Sequence, residues 1–275
     1  MIVDASMYFN EKELIELRVK YLDDLIDCFV IIEADVTHQG KKKKWNFPEV
    51  LKNNLKEFSH KIQYHQIKID VEKAESEKDP RYKGNYGRSW RIENVQRNFI
   101  RNACQKFSQG DIIIISDADE IASKEKISFV KSCDLKVVAP IAFEQALFHL
   151  DCNFLNLERW IGSVVTTKEL IDKFGPQSFR NYRERISHFT DAGWSFSSFG
   201  GLKRVREKFE AFAHEEYNNE KYKSESHIKK CTKEGSDLFH RKIKKKKIEK
   251  SFFPKDLLKL MELNSTFYFG PRTTY

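Results

Sequence analysis

The sequence predicts an α/β fold in which a mostly parallel sheet is flanked by helices. Four consecutive isoleucines at residues 112–115 form a short β-branched run, which is typical of a strand buried on both faces. Residues 28–33 form a second run of this kind. Over the first 120 residues such runs alternate with amphipathic stretches, which is the pattern of parallel strands joined by helices.

Within these 120 residues, strands are predicted at residues 1–6, 28–33 and 61–69, followed by the isoleucine run. A first helix is predicted around residues 14–25 from the helical spacing of its apolar side chains, which are Leu14, Leu17, Tyr21, Leu22 and Leu25. A second helix is predicted at residues 90–107, ahead of Gly110.

The pattern changes after Glu120. Residues 136–143 and 145–155 are predicted as strands that add a hairpin or a mixed extension to the sheet. Further helices are predicted at residues 166–175, 202–212 and 224–235, and after Pro254. Because there is no internal repeat and no long linker, we expect one domain at residues 1–241 and a basic tail at residues 242–275.

Composition bounds the class of protein. The chain has 275 residues, 40% of them hydrophobic, and a net charge of +8. This excludes a disordered chain and predicts an anionic partner: a nucleotide diphosphate, a membrane surface or nucleic acid. No run approaches the roughly 20 apolar residues of a membrane span, and no signal peptide is predicted. Five scattered cysteines without zinc spacing indicate reduced thiols in a cytoplasmic protein.

Three carboxylates, Asp117, Asp119 and Glu120, follow the isoleucine run. Open α/β sheets bind ligands at this end of their strands, and acidic groups placed there need a positive partner. Asp117 and Asp119 can face one divalent ion from a tight turn, and their oxygens suit Mg²⁺ or Mn²⁺. We therefore predict a metal that holds a phosphorylated ligand. The alternative is that these acids only precede the next helix, for which Ser123 is a suitable cap.

Six segments, in the same order along the chain, resemble the family 17 glycosyltransferases. They are residues 29–40, 90–98, 110–121, 192–197, 208–215 and 235–241. The resemblance implies an inverting, metal-dependent transferase of the GT-A type. Such an enzyme moves a hexose, for example N-acetylglucosamine, from a UDP-sugar to a hydroxyl of a glycan or glycolipid. One departure concerns the acceptor side, because the family often has a histidine after Gly-Trp, where this chain has Ser195.

The resemblance and the strand end together indicate the ligands of the metal, Mn²⁺ or Mg²⁺. Asp119 is the candidate for direct ligation, and Asp117 touches the metal through water or holds the ribose. His214 is the candidate third ligand because the resemblance places it after a helix that returns to the sheet; the alternatives are a packed histidine or ligation by His240. Glu120 either supports the ligands or begins the next helix.

Four residues are candidates for the nucleotide. Arg97 and Asn98 lie off the apolar stripe of their helix and match the family's Gln-Arg-Asn, which predicts a contact with the nucleotide or a phosphate. The alternative for Arg97 is a solvated surface arginine. Glu33 ends the second buried strand and, together with Thr37, is predicted to meet the uridine. Trp194 either stacks on a sugar or belongs to the core.

An inverting reaction needs one carboxylate as general base, on the face opposite the leaving group. Asp191, which precedes the Gly-Trp turn, and Glu215, which adjoins His214, are the two candidates. Glu216 and Glu144 lie in the same predicted acceptor region, so the identity of the base stays open.

The basic tail has two interpretations. Five lysines at residues 242–247 would attract anionic lipid, which places a cytoplasmic protein peripherally at a membrane. Apolar side chains would then contact the bilayer: Phe252, Phe253, Leu257, Leu258 and Met261. The alternative is a solvated, lysine-rich end.

Two rival functions are less consistent with the sequence. Haloacid-dehalogenase-type phosphatases also place Asp-x-Asp after a buried strand, but they usually have Thr or Val where this chain has Ile121. A nucleic-acid-binding module would use the lysine runs at residues 41–44 and 244–247. It would not explain a buried strand that ends in carboxylates, so we predict no nucleic-acid partner.

Overall fold

The computed structural model describes residues 1–76, 87–134 and 138–267. Twelve strands are found in these residues: β1 Ile2–Tyr8, β2 Cys28–Ala34, β3 Ile62–Ile67, β4 Ile112–Asp117, β5 Glu120–Ala122, β6 Ile141–Glu144, β7 Ala146–His149, β8 Phe154–Asn156, β9 Ile161–Thr167, β10 His188–Phe189, β11 Gly193–Ser197 and β12 Lys245–Lys247. They form two sheets, one of seven strands and one of five.

The larger sheet has the strand order β10-β6-β9-β4-β1-β2-β3. β3, β2, β1 and β4 are parallel, and β9 runs antiparallel between β4 and β6. The α/β fold with a mostly parallel sheet and added mixed strands is therefore confirmed.

The second sheet has the order β12-β8-β7-β11-β5. Because β5 follows β4 after two residues, the chain passes from the first sheet to the second at the acidic turn of residues 117–120. This turn therefore lies at the junction of the two sheets.

Twelve α-helices lie in the described residues: α1 Lys12–Leu22, α2 Phe47–Asn53, α3 Val71–Ser76, α4 Arg88–Asn98, α5 Ile100–Ala103, α6 Lys124–Ser132, α7 Lys168–Phe174, α8 Pro176–Tyr182, α9 Gly201–Phe209, α10 Glu220–Lys223, α11 Glu225–Glu234 and α12 Lys255–Glu262. The helix predicted at residues 90–107 is thus divided into α4 and α5. Lys136 and Val137, at the start of one predicted strand, lie outside the described residues. None of the described helices is long and apolar enough to cross a membrane.

The isoleucine strand is buried on both faces, as predicted. Ile114 packs in the cluster that also contains side chains of α1 and α2. Ile113 and Ile115 belong to a second cluster on the opposite face, with side chains of α4 and α5. Alternate residues of one strand therefore join two cores, because successive side chains of a strand point to opposite faces.

The segment after residue 241 is not a separate tail. β12 pairs with β8 in the second sheet, and Leu257 and Met261 of α12 are fully buried in the same cluster as α1. The predicted boundary at residue 241 and the predicted membrane contact of these apolar side chains are wrong, because they complete the core instead. The exposed lysines of the segment leave attraction to anionic lipid as a prediction that rests on charge alone.

Two neighbouring phenylalanines test this packing. Phe253 is 4% exposed and Phe252 is 40% exposed. We expect Phe253→Ala to lower the free energy of unfolding by about 3–5 kcal/mol, and Phe252→Ala by about 1 kcal/mol. Urea denaturation measures both. Equal, small losses would mean that the segment does not pack as described.

Candidate active site

A cavity of about 800 Å³ opens at the carboxyl ends of β1, β2 and β4. Tyr8, Ala34 and Asp117, the last residues of these three strands, all line it. The cavity therefore lies at the edge where open α/β sheets bind their ligands. This is also where the acidic turn was predicted to act.

A buried arginine of α1 fixes the acidic turn. Arg18 is fully buried, and its Nε and Nη2 donate to the two carboxylate oxygens of Asp4, each at 2.5 Å. Its Nη1 donates to the backbone carbonyls of Asp117, at 3.0 Å, and Glu120, at 2.6 Å. Nη2 also donates to the hydroxyl of Ser116. The backbone of the turn is thereby held at both ends by one planar group.

Asp117 is clamped by two arginines. Arg97 donates to its Oδ1 at 2.9 Å, and Arg180 forms an ion pair with its Oδ2. Burial alone would raise the pKa of Asp117, but the charges of Arg180 and Arg97 outweigh it and hold the pKa well below its usual range. Arg97 is buried and also bonds Glu93 at 2.7 Å and Gln177 at 2.6 Å. The alternative of a solvated surface arginine is therefore wrong.

Glu120 stabilises the turn through buried contacts. It is fully buried and pairs with Arg180 at 2.8 Å, while the indole of Trp160 donates to it at 3.3 Å. The backbone N–H of Asp117 donates to Glu120 Oε2 at 3.1 Å. Glu120 lies in β5 and the next helix begins at Lys124, so its alternative role as a helix-initiating acid is wrong.

Asp119 is the acid of the turn that is least neutralised. It lines the cavity, and its one ion pair among the described residues is with Lys208 at 3.3 Å. Burial raises the pKa of Asp119, and Lys208 opposes this only in part. A partly buried carboxylate with so little positive charge around it favours a cationic ligand.

One candidate ligand for a divalent ion is Asp119. Its carboxylate is a hard oxygen ligand that faces the cavity. Both oxygens of Asp117 are held by arginines, which agrees with an indirect role for Asp117. Among residues 1–76, 87–134 and 138–267, no group of three or more His, Cys, Asp and Glu side chains is arranged to hold a metal.

The two histidines predicted as third ligand do not join the aspartates. His214 lines the cavity, but its Nδ1 bonds Glu216 at 2.8 Å and its ring lies 4.8 Å from that of Trp90. His214 is thereby part of an aromatic wall of the cavity. His240 lies outside the cavity lining, 4.7 Å from the ring of His227.

Of the other residues predicted to contact the nucleotide, Thr37 lines the cavity. Glu33 does not: it is buried, and it accepts from the backbone N–H groups of Asn46 and Phe47 and from the hydroxyl of Tyr64. It therefore anchors the loop after β2. Asn98 is exposed, and its Oδ1 accepts from the first free N–H of α8, that of residue 177, at 3.1 Å.

Trp194 belongs to the core. It is 7% exposed, and its ring lies 6.0 Å from that of Tyr21 and 6.2 Å from that of Phe253. Stacking of Trp194 on a sugar was therefore a wrong prediction. The next residue, Ser195, points the other way and lines the cavity, as alternation along β11 requires.

The two predicted bases lie outside the cavity lining. Asp191 is exposed in the turn before β11, with a left-handed φ of 52°. Glu215 is exposed and accepts a hydrogen bond from Ser89. Two exposed carboxylates do line the cavity, Glu158 and Glu184. Glu158 follows β8 and Glu184 lies in the short 3₁₀-helix Arg183–Arg185, and no hydrophobic periodicity in the sequence marks either position.

Several further residues that line the cavity were not predicted as site residues from the sequence. Arg180 and Arg183 belong to a stretch with three arginines in six residues, which was the available signal. Lys208 and Arg241 stand at the ends of two segments that resemble the family. His149 ends β7, and nothing in its surroundings in the sequence indicates a site.

The His149 ring has no hydrogen-bond partner at either nitrogen within the described parts of the chain. Burial lowers the pKa of His149 to about 3, and the positive charges of Arg241, Lys245 and Lys208 act in the same direction, against Asp237. The imidazole is therefore neutral at physiological pH, and the residue lines the cavity.

A pH dependence of stability follows from this histidine. The pKa of His149 is about 3 in the folded protein and 6.5 in the unfolded chain. Between these two pH values the imidazole is protonated in the unfolded chain but not in the folded protein. Stability therefore falls as the pH falls below 6.5. From pH 8 to pH 5.5 we expect the wild type to lose about 1.4 kcal/mol more than His149→Phe. Denaturant unfolding at both pH values measures this, and parallel losses in the two proteins would contradict it.

An acidic turn at the carboxyl end of a parallel strand thus faces a cavity that arginines also line. The family model described as glycosyltransferase family 17 matches residues 1–261, and the chain belongs to this family. The match extends through β12 into α12, which agrees with the packing of that segment into the domain.

Curated relatives match part of the chain. The human β-1,4-mannosyl-glycoprotein 4-β-N-acetylglucosaminyltransferase is 29% identical over 138 residues, which are 48% of this chain and 24% of the human protein. The Mus musculus protein of the same name is 28% identical over equal shares. The match thus spans about a quarter of the length of these relatives.

Solved structures give more distant matches. Galactosyltransferase LgtC, in complex with donor and acceptor sugar analogs, is 12% identical, with a TM-score of 0.36 over 68% of this chain and 66% of its own. The 4-diphosphocytidyl-2C-methyl-D-erythritol synthase of Anaerococcus prevotii is 9% identical, with a TM-score of 0.43 over 74% of this chain and 92% of its own.

Proposed function

We propose that this glycosyltransferase moves a hexose, such as N-acetylglucosamine, from a UDP-sugar to a hydroxyl of a glycan or glycolipid, with inversion and with Mn²⁺ or Mg²⁺. The observation that carries this proposal is the cavity itself, which the carboxylate of Asp119 and several cationic side chains line at the ends of the parallel strands. A sugar diphosphate with a divalent ion complements both signs of charge.

The donor side has to bind the diphosphate and accept its charge as it leaves. A divalent ion held by Asp119, with Asp117 in support, would supply Lewis-acid stabilisation of the leaving diphosphate. Arg97 and Arg180 hold Asp117 in place, and Arg18 holds the backbone of the turn. The site is thereby organised before the donor binds, which is what electrostatic stabilisation of a transition state requires.

The acceptor side needs a surface for a sugar ring and a carboxylate that takes the proton of its hydroxyl. Trp90, Phe212 and Tyr217 supply an aromatic wall of the cavity, and aromatic faces pack well against the apolar side of a sugar. Glu158 and Glu184 are the exposed cavity carboxylates, so we propose one of them as the base in place of Asp191 or Glu215.

Donor hydrolysis tests the proposal without knowledge of the acceptor. The protein is incubated with Mn²⁺ and a panel of UDP-, GDP- and CMP-sugars, and release of the free nucleotide is measured. Release of UDP from one UDP-sugar above all other donors supports the proposal. Hydrolysis of a simple phosphate ester with no turnover of any nucleotide sugar would favour a phosphatase. Salt-sensitive DNA binding that ignores UDP and Mn²⁺ would favour a nucleic-acid-binding module.

A further inference from the structure

Two arginines of one segment face the acidic turn. Arg180 lies in α8, and Arg183 begins the 3₁₀-helix Arg183–Arg185 that directly follows it. Both line the cavity, whereas Arg185 does not and is exposed. Residues three apart on a helical segment share a face, and the charge of Arg180 is close enough to lower the pKa of Arg183.

These two arginines differ in their partners. Arg180 is used by the protein itself, since it pairs with both Asp117 and Glu120. Arg183 forms no ion pair with any carboxylate in the described part of the chain. Its guanidinium instead lies over the ring of Trp160, 4.9 Å from the ring centroid. This ring is itself fixed, because its indole N–H donates to Glu120.

The charge of Arg183 is only partly compensated. Burial and the charge of Arg180 lower its pKa to about 10, against the opposing charges of Glu120 and Asp117, so the side chain is still protonated at neutral pH. Removing a charge from water without a partner is unfavourable. An anion in the cavity would compensate this cost, and a planar guanidinium pairs best with phosphate or carboxylate oxygens in a two-pronged contact.

We propose that Arg183 binds the diphosphate of the sugar donor and stabilises it as it leaves. The proposal rests on the function proposed above. In the transfer, the acceptor oxygen forms a bond to the anomeric carbon and its proton goes to a carboxylate. The bond between that carbon and the diphosphate oxygen breaks, and both of its electrons stay on the diphosphate. The charge gained by the diphosphate develops where the donors of Arg183 are available.

Calorimetry with UDP and with uridine tests this role. In the presence of Mn²⁺, Arg183→Ala is expected to weaken UDP binding by about 10- to 100-fold and to leave uridine binding unchanged, because uridine has no phosphate. Arg183→Lys keeps the charge but loses the two-pronged geometry of the guanidinium donors. Its affinity for UDP should lie between those of the wild type and Arg183→Ala. Arg185→Ala is the matched control from the same short helix and binds UDP within about twofold of the wild type.

Stability separates binding from a structural role. Arg183→Ala loses the contact with Trp160 but also removes a buried charge that Arg180 repels, so it should melt close to the wild-type temperature. Unchanged UDP affinity in Arg183→Ala would overturn the inference, and so would an equal loss of uridine and UDP binding together with a lower melting temperature. Absence of UDP binding in the wild type would overturn the proposed function, and the role of Arg183 with it.

Discussion

Replacing Arg18 with methionine is expected to lower the free energy of unfolding by about 3–5 kcal/mol, because it leaves a buried carboxylate without its partner. The side chains of Arg18 and Asp4 are 0% and 1% exposed. The same change also removes the donors that hold the carbonyls of Asp117 and Glu120. Urea denaturation measures the loss.

Two further variants show whether the charge of Asp4 is the reason. Adding Asp4→Leu to Arg18→Met removes the orphaned carboxylate and should restore much of the lost stability, since apolar pairs often replace buried ion pairs without penalty. Lys20→Met is the control on the same helix, because the pair of Lys20 with Glu16 is partly exposed and contributes at most about 1 kcal/mol. Equal losses of stability in Arg18→Met and Lys20→Met would contradict this explanation.

Replacing Asp119 with asparagine is expected to reduce sugar transfer by about 100- to 1,000-fold or more. The change keeps the size of the side chain and removes the charge that would hold the divalent ion. The folded protein should remain stable, because burial already disfavours the ionised form of Asp119. Donor hydrolysis at saturating UDP-sugar measures the effect.

Its control is Asp24→Asn, whose side chain is 62% exposed and pairs with Lys124 away from the cavity. This variant should retain the rate of the wild type. A rate in Asp119→Asn within tenfold of that in Asp24→Asn would mean that the carboxylate of the turn has no part in the reaction.

The strand and the acidic turn could be predicted because their signal is local. Four isoleucines ending in carboxylates indicate a buried strand and its ligand-binding end from ten residues of sequence. The place of Arg97 in the cavity was also within reach, because it lies off the apolar stripe of its helix and matches the family's Gln-Arg-Asn. The fold class followed from the alternation of such patterns over the first 120 residues.

The residues that were wrongly assigned depend on packing between distant segments. Trp194 is buried because α1 and the segment after β12 cover it from opposite ends of the chain. Glu215 accepts a hydrogen bond from Ser89, which lies 126 residues earlier. Arg18 shares a helix face with Leu14 and Tyr21, which is a local signal for burial, but its partners are Asp4 and a turn about 100 residues away. Periodicity and motifs do not encode such contacts.

We propose that the turn from Asp117 to Glu120 is the diphosphate-binding part of a sugar-transfer site. Calorimetric titration of UDP, with and without Mn²⁺, into the wild type and Asp119→Ala tests this role. We predict binding to the wild type that needs the metal and is lost in the variant. Equal affinity for UDP without metal, or in Asp119→Ala, would contradict the claim.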